Sequence, residues 1–562
     1  MKTPFSAWTF LGLFMLRSAT PLSAADASSV LPVGSAPAPI EAAWFPSRVH
    51  AFVWRNWNLV EPARLAKLLG ASAQGINGVW LHVVLRDLAP GGKDFPEFGA
   101  GLERRLANLA AMVARAKRHG IGIYLYMNEP RGQPAAFFKD RPDLAGVFTI
   151  TASENLTNCA SHGRRAQCAH CKGRTDAEII AEVNRTIEEG VHRGSPAARC
   201  IAWDWGWHGH GDAPDIVALL PKSMWLMSVS EWALPISRGG VSLQVGEYSM
   251  SAVGPGPRAT RHWQIAKGLG LKTVAKVQLN NTWELSSVPY LPVMDLVAEH
   301  CHNLASAGVD GMMLSWSLGG YPSPNLEIAA RFRGRPTPEI ATVLDAVAAE
   351  RFGVDGGPLA RNAWAAFSSA FREYPYHGSV LYDSPVQIGP ANPLYAVRTG
   401  YQATMTGIPY DDLRSWRGPY PADVFAAQFQ KVATGWQTGI PALEAAVERA
   451  PSSCKDDARA ELRFARVAGL HFQSVASQAR FVMARDRLAA AAHGVSAAEQ
   501  AQLLDQMKSA LAEEIVAARQ EFALAQGDSR IGFEAANQYF FVPLDLVEKV
   551  VNCRWLLEKL GN

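Results

Sequence analysis

The chain has 562 residues, too many for one ordinary domain, and 48% of them are hydrophobic, which excludes a largely disordered protein. The formal net charge is only +3, so the composition offers no strongly charged surface for a nucleic acid or an anionic membrane. We therefore expect two or three folded domains and no nucleic-acid partner. The composition leaves the oligomeric state open.

The first 24 residues have the order of a secretory signal peptide. Lys2 precedes a short apolar run, Ala7–Leu16, and small residues before Ala24 fit a cleavage site. That run is too short to span a bilayer, and no later run reaches the roughly 20 apolar residues that a membrane-spanning helix needs. The sequence thus predicts an exported protein, periplasmic or secreted, with a linker rich in Pro, Ala and Ser over residues 25–43.

Eight short apolar runs follow, and most of them precede a stretch with helical periodicity. They are Val49–Val53, Val79–Val84, Ile121–Met127, Gly146–Thr151, Cys200–Trp203, Met224–Val229, Thr273–Leu279 and Gly311–Leu314. Because parallel strands need a connection long enough to hold a helix, this alternation predicts βα units. Eight units in about 250–300 residues match a (β/α)8 barrel, whose functional groups lie at the carboxyl ends of the strands. We expect this α/β TIM barrel over residues 44–353.

After residue 353 the pattern changes twice. Residues 354–420 form an irregular connector that is rich in aromatic residues and proline. Residues 421–562 contain long Ala-rich amphipathic runs, which are typical of helices packed against one another. We therefore predict that a C-terminal α-helical bundle domain follows the barrel.

Three carboxylates directly follow predicted strands, and we take Glu154, Asp204 and Glu231 as the candidate catalytic residues. Hydrolysis of a glycosidic bond uses two carboxyl groups that face each other, one as the acid and the other as base or nucleophile. A partly desolvated carboxyl group at a strand end holds a raised pKa, which suits an acid. The alternative for each residue is structural, namely a carboxylate that binds backbone amides or fixes a loop.

Aromatic, amide and charged side chains near the same strand ends are expected to bind the substrate. Tryptophan rings stack on sugar faces, amides bind hydroxyls, and arginines bind carboxylates through two hydrogen bonds. The expected binding residues are Trp54, Arg55, Asn128, Arg131, Asn155, Trp205, Trp207, His208, Asn280, Asn281, Glu284 and Trp316. Glu284 is also a candidate nucleophile. The Gly- and Pro-rich segment Gly239–Pro257 indicates a long loop over the barrel mouth, and such loops are usually functional. Glu247 nevertheless ranks last, because this loop has the composition of a mobile one.

A cysteine-rich segment follows the run Gly146–Thr151. Cys159, His162, Cys168 and Cys171 have the residue types and the two-residue spacing of a structural zinc site, in which four ligands close the coordination sphere. An exported chain also meets an oxidising environment, where one disulfide and a spare thiol are the alternative. We expect no cofactor for catalysis, since such a site leaves no ligand position open.

Four sequence segments are similar to those of a known group of enzymes. They are Tyr126–Arg131, Thr151–Asn155, Trp203–Trp207 and Leu314–Tyr321. They resemble TIM-barrel glycoside hydrolases, especially the broad group around hexosaminidases and α-glucuronidases. The resemblance implies a glycosidase. Together with the strand-end positions it leads us to expect an enzyme that acts from the chain end on an amino or acidic sugar, with Glu154 as acid and Asp204 or Glu231 as partner.

The chain also departs from that group. Family-20 hexosaminidases carry an adjacent Asp-Glu pair after the fourth strand, and the large retaining clan carries Asn-Glu, whereas here Ser153 precedes Glu154. Two alternatives therefore stay open. One is a non-catalytic carbohydrate-binding protein on a degenerate barrel, and the other is a lyase on the same fold.

Overall fold

The computed structural model describes most of the chain from residue 77 to residue 561. The described residues are 77–82, 96, 101–118, 120–126, 138–153, 157–210, 213–315, 318, 321–334, 336–403, 406–490, 494, 496–534 and 538–561. The predicted signal peptide, the linker and the first predicted strand, Val49–Val53, lie outside them.

Seven parallel strands form one continuous sheet. They are β1 (Gly78–His82), β2 (Gly122–Tyr126), β3 (Gly146–Ile150), β4 (Arg199–Trp203), β5 (Trp225–Val229), β8 (Lys272–Lys276) and β9 (Gly311–Met313). They lie in the sheet in the order in which they follow one another along the chain. Each coincides with a predicted run to within a few residues, and the predicted (β/α)8 barrel fold is confirmed.

Helices connect these strands on the outside of the sheet. They are α1 (Leu102–Lys117), α2 (Asp176–Gly194), α3 (Pro214–Leu219), α4 (Pro257–Gly268) and α5 (Met294–Ala307). The sequence explains where α2 begins: Thr175 accepts a hydrogen bond from the Glu178 amide, and the Glu178 carboxylate accepts one from the Thr175 amide in return. Helix α5 ends at Gly308, which adopts the left-handed conformation that glycine tolerates best.

The two faces of the sheet are packed differently, and this decides which side chains reach the barrel interior. One buried cluster contains strand residues only, among them Phe148, Trp203, Met227 and Val274. The alternate residues of the same strands, such as Leu226, pack against helices α1 to α3 in a second cluster. Because side chains alternate along a strand, the first cluster lines the barrel interior and the second the outer layer.

An antiparallel hairpin lies between β5 and β8, where the sequence predicted a long loop. Strands β6 (Pro235–Arg238) and β7 (Val241–Gln244) pair across Gly239 and Gly240. Both glycines have positive φ, 55° and 78°, as a two-residue hairpin turn of this kind requires. The loop is therefore confined to residues 245–256, which leave the hairpin and return to α4.

The chain after β9 is mainly helical, and the predicted C-terminal helical bundle is part of it. The helices are α6 (Pro324–Arg331), α7 (Ile340–Phe371), α8 (Gly378–Tyr382), α9 (Leu413–Trp416), α10 (Ala422–Arg449), α11 (Lys455–Ala490), α12 (Ala497–Gln526) and α13 (Pro543–Gly561). A short hairpin, β10 (Phe533–Glu534) and β11 (Gln538–Tyr539), precedes α13. Helix α7 is interrupted at Gly353, whose φ is 75°.

The bundle packs directly on the barrel. One continuous buried cluster includes Leu279 after β8, Trp263 on α4, Trp364 on α7 and Phe472 on α11. Among the described helices, none has the length and apolar character needed to cross a membrane. The shared core brings the connector after α7 against the carboxyl ends of β5 and β8.

Candidate active site

Glu231 and Lys276 are buried side chains at the carboxyl end of the barrel interior. Glu231 lies two residues beyond Val229 on β5, and Lys276 lies two beyond Val274 on β8, so both continue the inward-facing positions. Both side chains are 0% exposed. Burial raises the pKa of Glu231 to about 7, although the nearby Lys276 ammonium opposes the rise. Glu231 is thus able to keep its proton near neutral pH.

A second carboxylate, Glu247, reaches the same lysine from the loop over residues 245–256. Its Oε2 lies 3.5 Å from Lys276 Nζ, and its Oε1 accepts a hydrogen bond of 2.8 Å from the Trp205 indole. Lys276 Nζ also lies 4.0 Å from the centroid of the Tyr248 ring, a cation–π geometry. Lys276 therefore links Glu231 and Glu247 electrostatically within one site.

The loop that carries Glu247 is held rigidly despite a strained backbone. Tyr248 has a φ of 63°, which is unusual for a side chain of this size. The Thr282 hydroxyl donates to the Tyr248 carbonyl, and the phenol of Tyr376, from the connector after α7, accepts from the Gly246 amide at 3.0 Å and donates to the Glu247 carbonyl at 2.7 Å. Strain that is held from both sides is common at functional sites.

Glu284, an expected binding residue, is one of the supports of this loop. Its carboxylate accepts hydrogen bonds from the Ser249 hydroxyl (2.9 Å), the Ser251 hydroxyl (2.5 Å), the Met250 amide (2.7 Å) and the Ser251 amide (3.1 Å). Burial raises the pKa of Glu284 to about 6, while these donors oppose the rise. With its oxygens engaged in this way, Glu284 positions the loop rather than presenting a free carboxylate.

A hydrogen-bonded chain behind Glu231 fixes its carboxyl group. The Ser230 hydroxyl donates to Glu231 Oε2 at 3.1 Å and lies 2.5 Å from His300 Nε2 on α5. Burial lowers the pKa of His300 to about 4, so the imidazole is neutral at physiological pH. Gly254 lies close to this chain, since a Cβ atom there would come within 2.9 Å of both the Ser230 hydroxyl and His300 Nε2.

Half-buried aromatic rings lie around the same end of the barrel. Trp283 follows β8, and its ring centroid is 5.7 Å from that of Tyr382 on α8 and 6.3 Å from that of Phe540 after β11. Trp205 and Trp232 follow β4 and β5 and are also half-buried. Such rings offer the flat apolar faces on which sugars stack.

Asp204, an expected catalytic residue, faces helix α4 in the outer layer and not the barrel interior. Its side chain is 0% exposed, and its Oδ2 lies 2.7 Å from the Ser228 hydroxyl, 2.7 Å from His262 Nδ1 and 3.0 Å from Arg258 Nη1. Arg258 and His262 belong to α4, in the outer layer. Burial by itself raises the pKa of Asp204, but Arg258 and His262 more than offset it, so the pKa lies below its usual value. Asp204 thus joins β4 to α4 as an ionised group.

Several other expected binding residues are engaged in structural contacts. Trp207 is 0% exposed and donates to the Thr151 hydroxyl at 3.0 Å. The Asn280 amide donates to the Tyr321 carbonyl at 2.6 Å, and the Asn281 amide donates to the Val288 carbonyl at 2.7 Å. Trp205, in contrast, donates a hydrogen bond to the Glu247 carboxylate.

The remaining predicted site residues fall outside the described part of the chain. They are Glu154, Trp54, Arg55, Asn128, Arg131, Asn155 and Trp316, together with the side chain of His208. Their expected roles stay predictions.

The three predicted metal-ligating cysteines come together. The Sγ atoms of Cys159, Cys168 and Cys171 lie within 4.8 Å of one another, and all three thiols are free. His162, the expected fourth ligand, is described but does not belong to this group. It lies in a short turn, Ser161–Gly163, with a φ of 56°.

Sequence reasoning missed Lys276 and ranked Glu247 last. The missed signal is a lone lysine inside the apolar run Thr273–Leu279, two residues after Val274 and therefore on the same inward-facing side of the strand. A charge at an inward position near a strand end needs a partner, and this requirement predicts an acidic group nearby. No comparable signal marks Glu247, because its approach depends on the hairpin that precedes it.

Comparison with known proteins supports the fold. No protein-family model matches the chain, and no curated protein matches its sequence. Among solved structures it is similar to a GH138 enzyme targeting pectin rhamnogalacturonan II, with 13% identity, 92% of this chain and 81% of that chain covered, and a TM-score of 0.51.

Two further solved structures overlap more loosely. An O-GlcNAc hydrolase from Thermobaculum terrenum has 11% identity, covers 89% of this chain and 94% of its own, and gives a TM-score of 0.37. A GH5_18 protein from Streptomyces cattleya, solved with GlcNAc, has 15% identity, covers 58% of this chain and 95% of its own, and gives a TM-score of 0.34. The likeness to the GH138 enzyme supports the barrel fold of this chain.

Proposed function

We propose that this protein is a glycoside hydrolase whose reaction takes place between Glu231 and Glu247. The observation that carries the proposal is the arrangement of these two carboxyl groups around one buried ammonium, Lys276, at the carboxyl end of the barrel interior. Catalytic groups of such barrels are found at this end. The half-buried aromatic rings nearby supply surfaces for sugar rings.

The two carboxyl groups have different environments and hence different roles. Glu231, with a pKa raised to about 7, serves as the general acid that protonates the leaving oxygen. Glu247, ion-paired with Lys276 and hydrogen-bonded by Trp205, serves as the base or nucleophile. The sequence predicts Glu154 as the acid instead, and Glu154 is therefore the alternative candidate for this role.

The substrate we propose is a glycoside of an amino or acidic sugar, cleaved from the chain end by an exported enzyme. The folded connector after α7, which contributes Tyr376 and Tyr382, lies against the site and favours a closed pocket over an open groove. The GH138 enzyme that shares the fold targets pectin rhamnogalacturonan II, which adds pectic oligosaccharides to the substrates to be tested.

The test is a screen of the purified protein against chromogenic N-acetylhexosaminides, uronides and sialosides, and against pectic oligosaccharides. Glu231→Gln, Glu247→Gln and Glu154→Gln are assayed beside the wild type, and circular dichroism checks that each is folded. We expect the wild type to turn over a substrate, and we expect both Glu231→Gln and Glu247→Gln to abolish that turnover. Loss of turnover in Glu154→Gln alone would move the chemistry to the predicted strand-end acid.

The second candidate is a carbohydrate-binding protein on the same barrel, and the deep burial of Glu231 is the observation that favours it. In that case calorimetry detects sugar binding, no substrate is turned over, and Glu231→Gln leaves binding unchanged.

A further inference from the structure

Three thiols that take no part in the proposed catalysis meet in the segment between β3 and α2. Cys159, Cys168 and Cys171 are half-buried, and their sulfur atoms lie within 4.8 Å of one another. A tetrahedral zinc site holds thiolates about 2.3 Å from the metal, which places its sulfur atoms about 3.8 Å apart. The observed spacing is therefore within a small side-chain adjustment of zinc coordination.

The backbone around Cys168 is shaped to receive a thiolate. The Cys171 amide donates to the Cys168 carbonyl at 3.2 Å and the Lys172 amide donates to the same carbonyl at 3.0 Å, which closes a tight turn between the two cysteines. The neighbouring backbone amides of His170 and Cys171 also favour the thiolate form, since they lower the pKa of Cys168. Hydrogen bonds of this kind stabilise a negatively charged sulfur and orient it toward a metal.

The segment has little else to hold it together. Between residues 157 and 175, Ala160 and Ser161 are the buried residues, and regular structure is limited to two short turns, Ser161–Gly163 and Arg165–Gln167. A segment without an apolar core gains its fixed shape from cross-links, and a metal ion is one such cross-link. No pair of the three cysteines is joined by a disulfide.

Polar contacts join the segment to the barrel. The Thr157 hydroxyl accepts a hydrogen bond of 3.2 Å from the Ala152 amide at the end of β3. Arg165 Nε donates to Asp176 at the start of α2 at 2.7 Å, and His210 after β4 contacts the same carboxylate at 3.0 Å. An interaction that fixes the cysteines therefore also restrains the chain at the carboxyl ends of β3 and β4.

We propose that Cys159, Cys168 and Cys171 bind one Zn²⁺ ion as thiolates and that this ion fixes the segment after β3. Each thiol gives its proton to solvent when the ion binds. His162 does not lie within 4.8 Å of all three sulfurs, so in the proposed site a water molecule takes the fourth position. The site differs from the closed four-ligand site that the sequence predicts, and it does not depend on the proposed hydrolase function.

The first experiment measures zinc in protein purified without chelators. We expect about one zinc per chain, and near-complete loss of zinc in Cys159→Ser and Cys168→Ser. Cys454→Ser is the matched control, because Cys454 is also half-buried but bonds the Glu350 carbonyl at 3.5 Å far along the chain. His162→Ala is expected to retain the ion, and loss of zinc in that variant would overturn the three-sulfur site in favour of four protein ligands.

The second experiment reads the ligands and the loop directly. Replacement of zinc by Co²⁺ should give thiolate-to-cobalt charge-transfer absorption in the wild type and in Cys454→Ser, and none in Cys168→Ser. Removal of the ion by a chelator should open the segment to trypsin at Arg164, Arg165 and Lys172. A mass lower by two hydrogens, showing a disulfide, or three free thiols that take up no added Zn²⁺ or Co²⁺, would overturn the proposal.

Discussion

Asp204 and Glu231 follow adjacent strands of one sheet, and both are fully buried, yet they lie on opposite faces of it. Asp204 lies in the outer layer, where Arg258 and His262 of α4 bind it. Glu231 lies in the barrel interior and shares the Lys276 charge with Glu247. Arg258 and His262 lower the pKa of Asp204, whereas burial raises the pKa of Glu231 even though the Lys276 charge opposes the rise. Burial of a strand-end carboxyl group does not by itself identify a catalytic residue.

The largest expected effect comes from replacing the interior carboxyl group. Glu231→Gln keeps the shape of the protonated form but removes the proton donor, so we expect kcat/KM to fall about 10³-fold, as for loss of a general acid. The measurement uses a substrate with a poor leaving group, because a good leaving group needs less protonation. A variant that keeps activity within a few-fold of the wild type would remove Glu231 from the mechanism.

The outer carboxyl group should instead affect stability. Asp204→Asn leaves Arg258 buried without its counter-charge, and we expect the free energy of unfolding to fall by about 3 kcal/mol while kcat stays within a few-fold. Urea denaturation measures the loss. Asp143→Asn is the control, since its exposed ion pair with Lys117 contributes at most about 1 kcal/mol. Unchanged stability with abolished turnover would reverse the assignment of the two residues.

A smaller effect is expected from replacing Lys276, the cation that Glu231 and Glu247 share. Lys276 lowers the pKa of Glu231, so Lys276→Met should raise it further. In the wild type we expect kcat/KM to decline as the pH rises through about 7, because Glu231 loses its proton there. In Lys276→Met that decline should move to higher pH. If kcat/KM declined at the same pH in both proteins, Lys276 would not influence the group whose titration causes the decline.

The sequence predicted the strands and the cysteine cluster, but it did not predict the different environments of Asp204 and Glu231. Seven apolar runs were located as strands because buried parallel strands are continuous apolar stretches, and the cysteine spacing identified three thiols that do converge. It could not separate Asp204 from Glu231, because both faces of a buried parallel strand are apolar and the apolar pattern does not show which alternate residues face the barrel interior. The partners that decide the matter, Arg258 and Lys276, lie tens of residues away and meet them only through folding.

The same reasoning explains why Glu247 was ranked last. Its segment resembled an unsupported loop, whereas the paired glycines make a hairpin, and Glu284 and Tyr376 then fix the chain beyond it. Glu284 itself was assigned to the substrate because strand-end carboxylates usually face the barrel mouth. Its four donors come from the loop over residues 249–251, and no pattern local to Glu284 predicts them.

The smallest expected effect is a difference in how the two carboxyl groups couple stability to pH. The pKa of Glu231 is raised from 4.5 to about 7, so its contribution to stability is fully present below pH 4.5 and is lost as the pH rises through about 7. The pKa of Asp204 is lowered, so its contribution is present above its unfolded value of 3.8 and is lost as the pH falls.

Unfolding free energies of the wild type, Glu231→Gln and Asp204→Asn between pH 3 and pH 8 test this opposition. Relative to the wild type, Glu231→Gln should gain on the order of 2 kcal/mol between pH 4.5 and pH 8, because glutamine has no proton to lose on unfolding. Asp204→Asn should instead lose its disadvantage as the pH falls below 3.8. Glu284, whose pKa is raised to about 6, titrates in the same window in all three proteins and cancels in the subtraction. Differences of the same sign and slope for both variants would mean that the two carboxyl groups share one environment and that the faces of the sheet do not separate them.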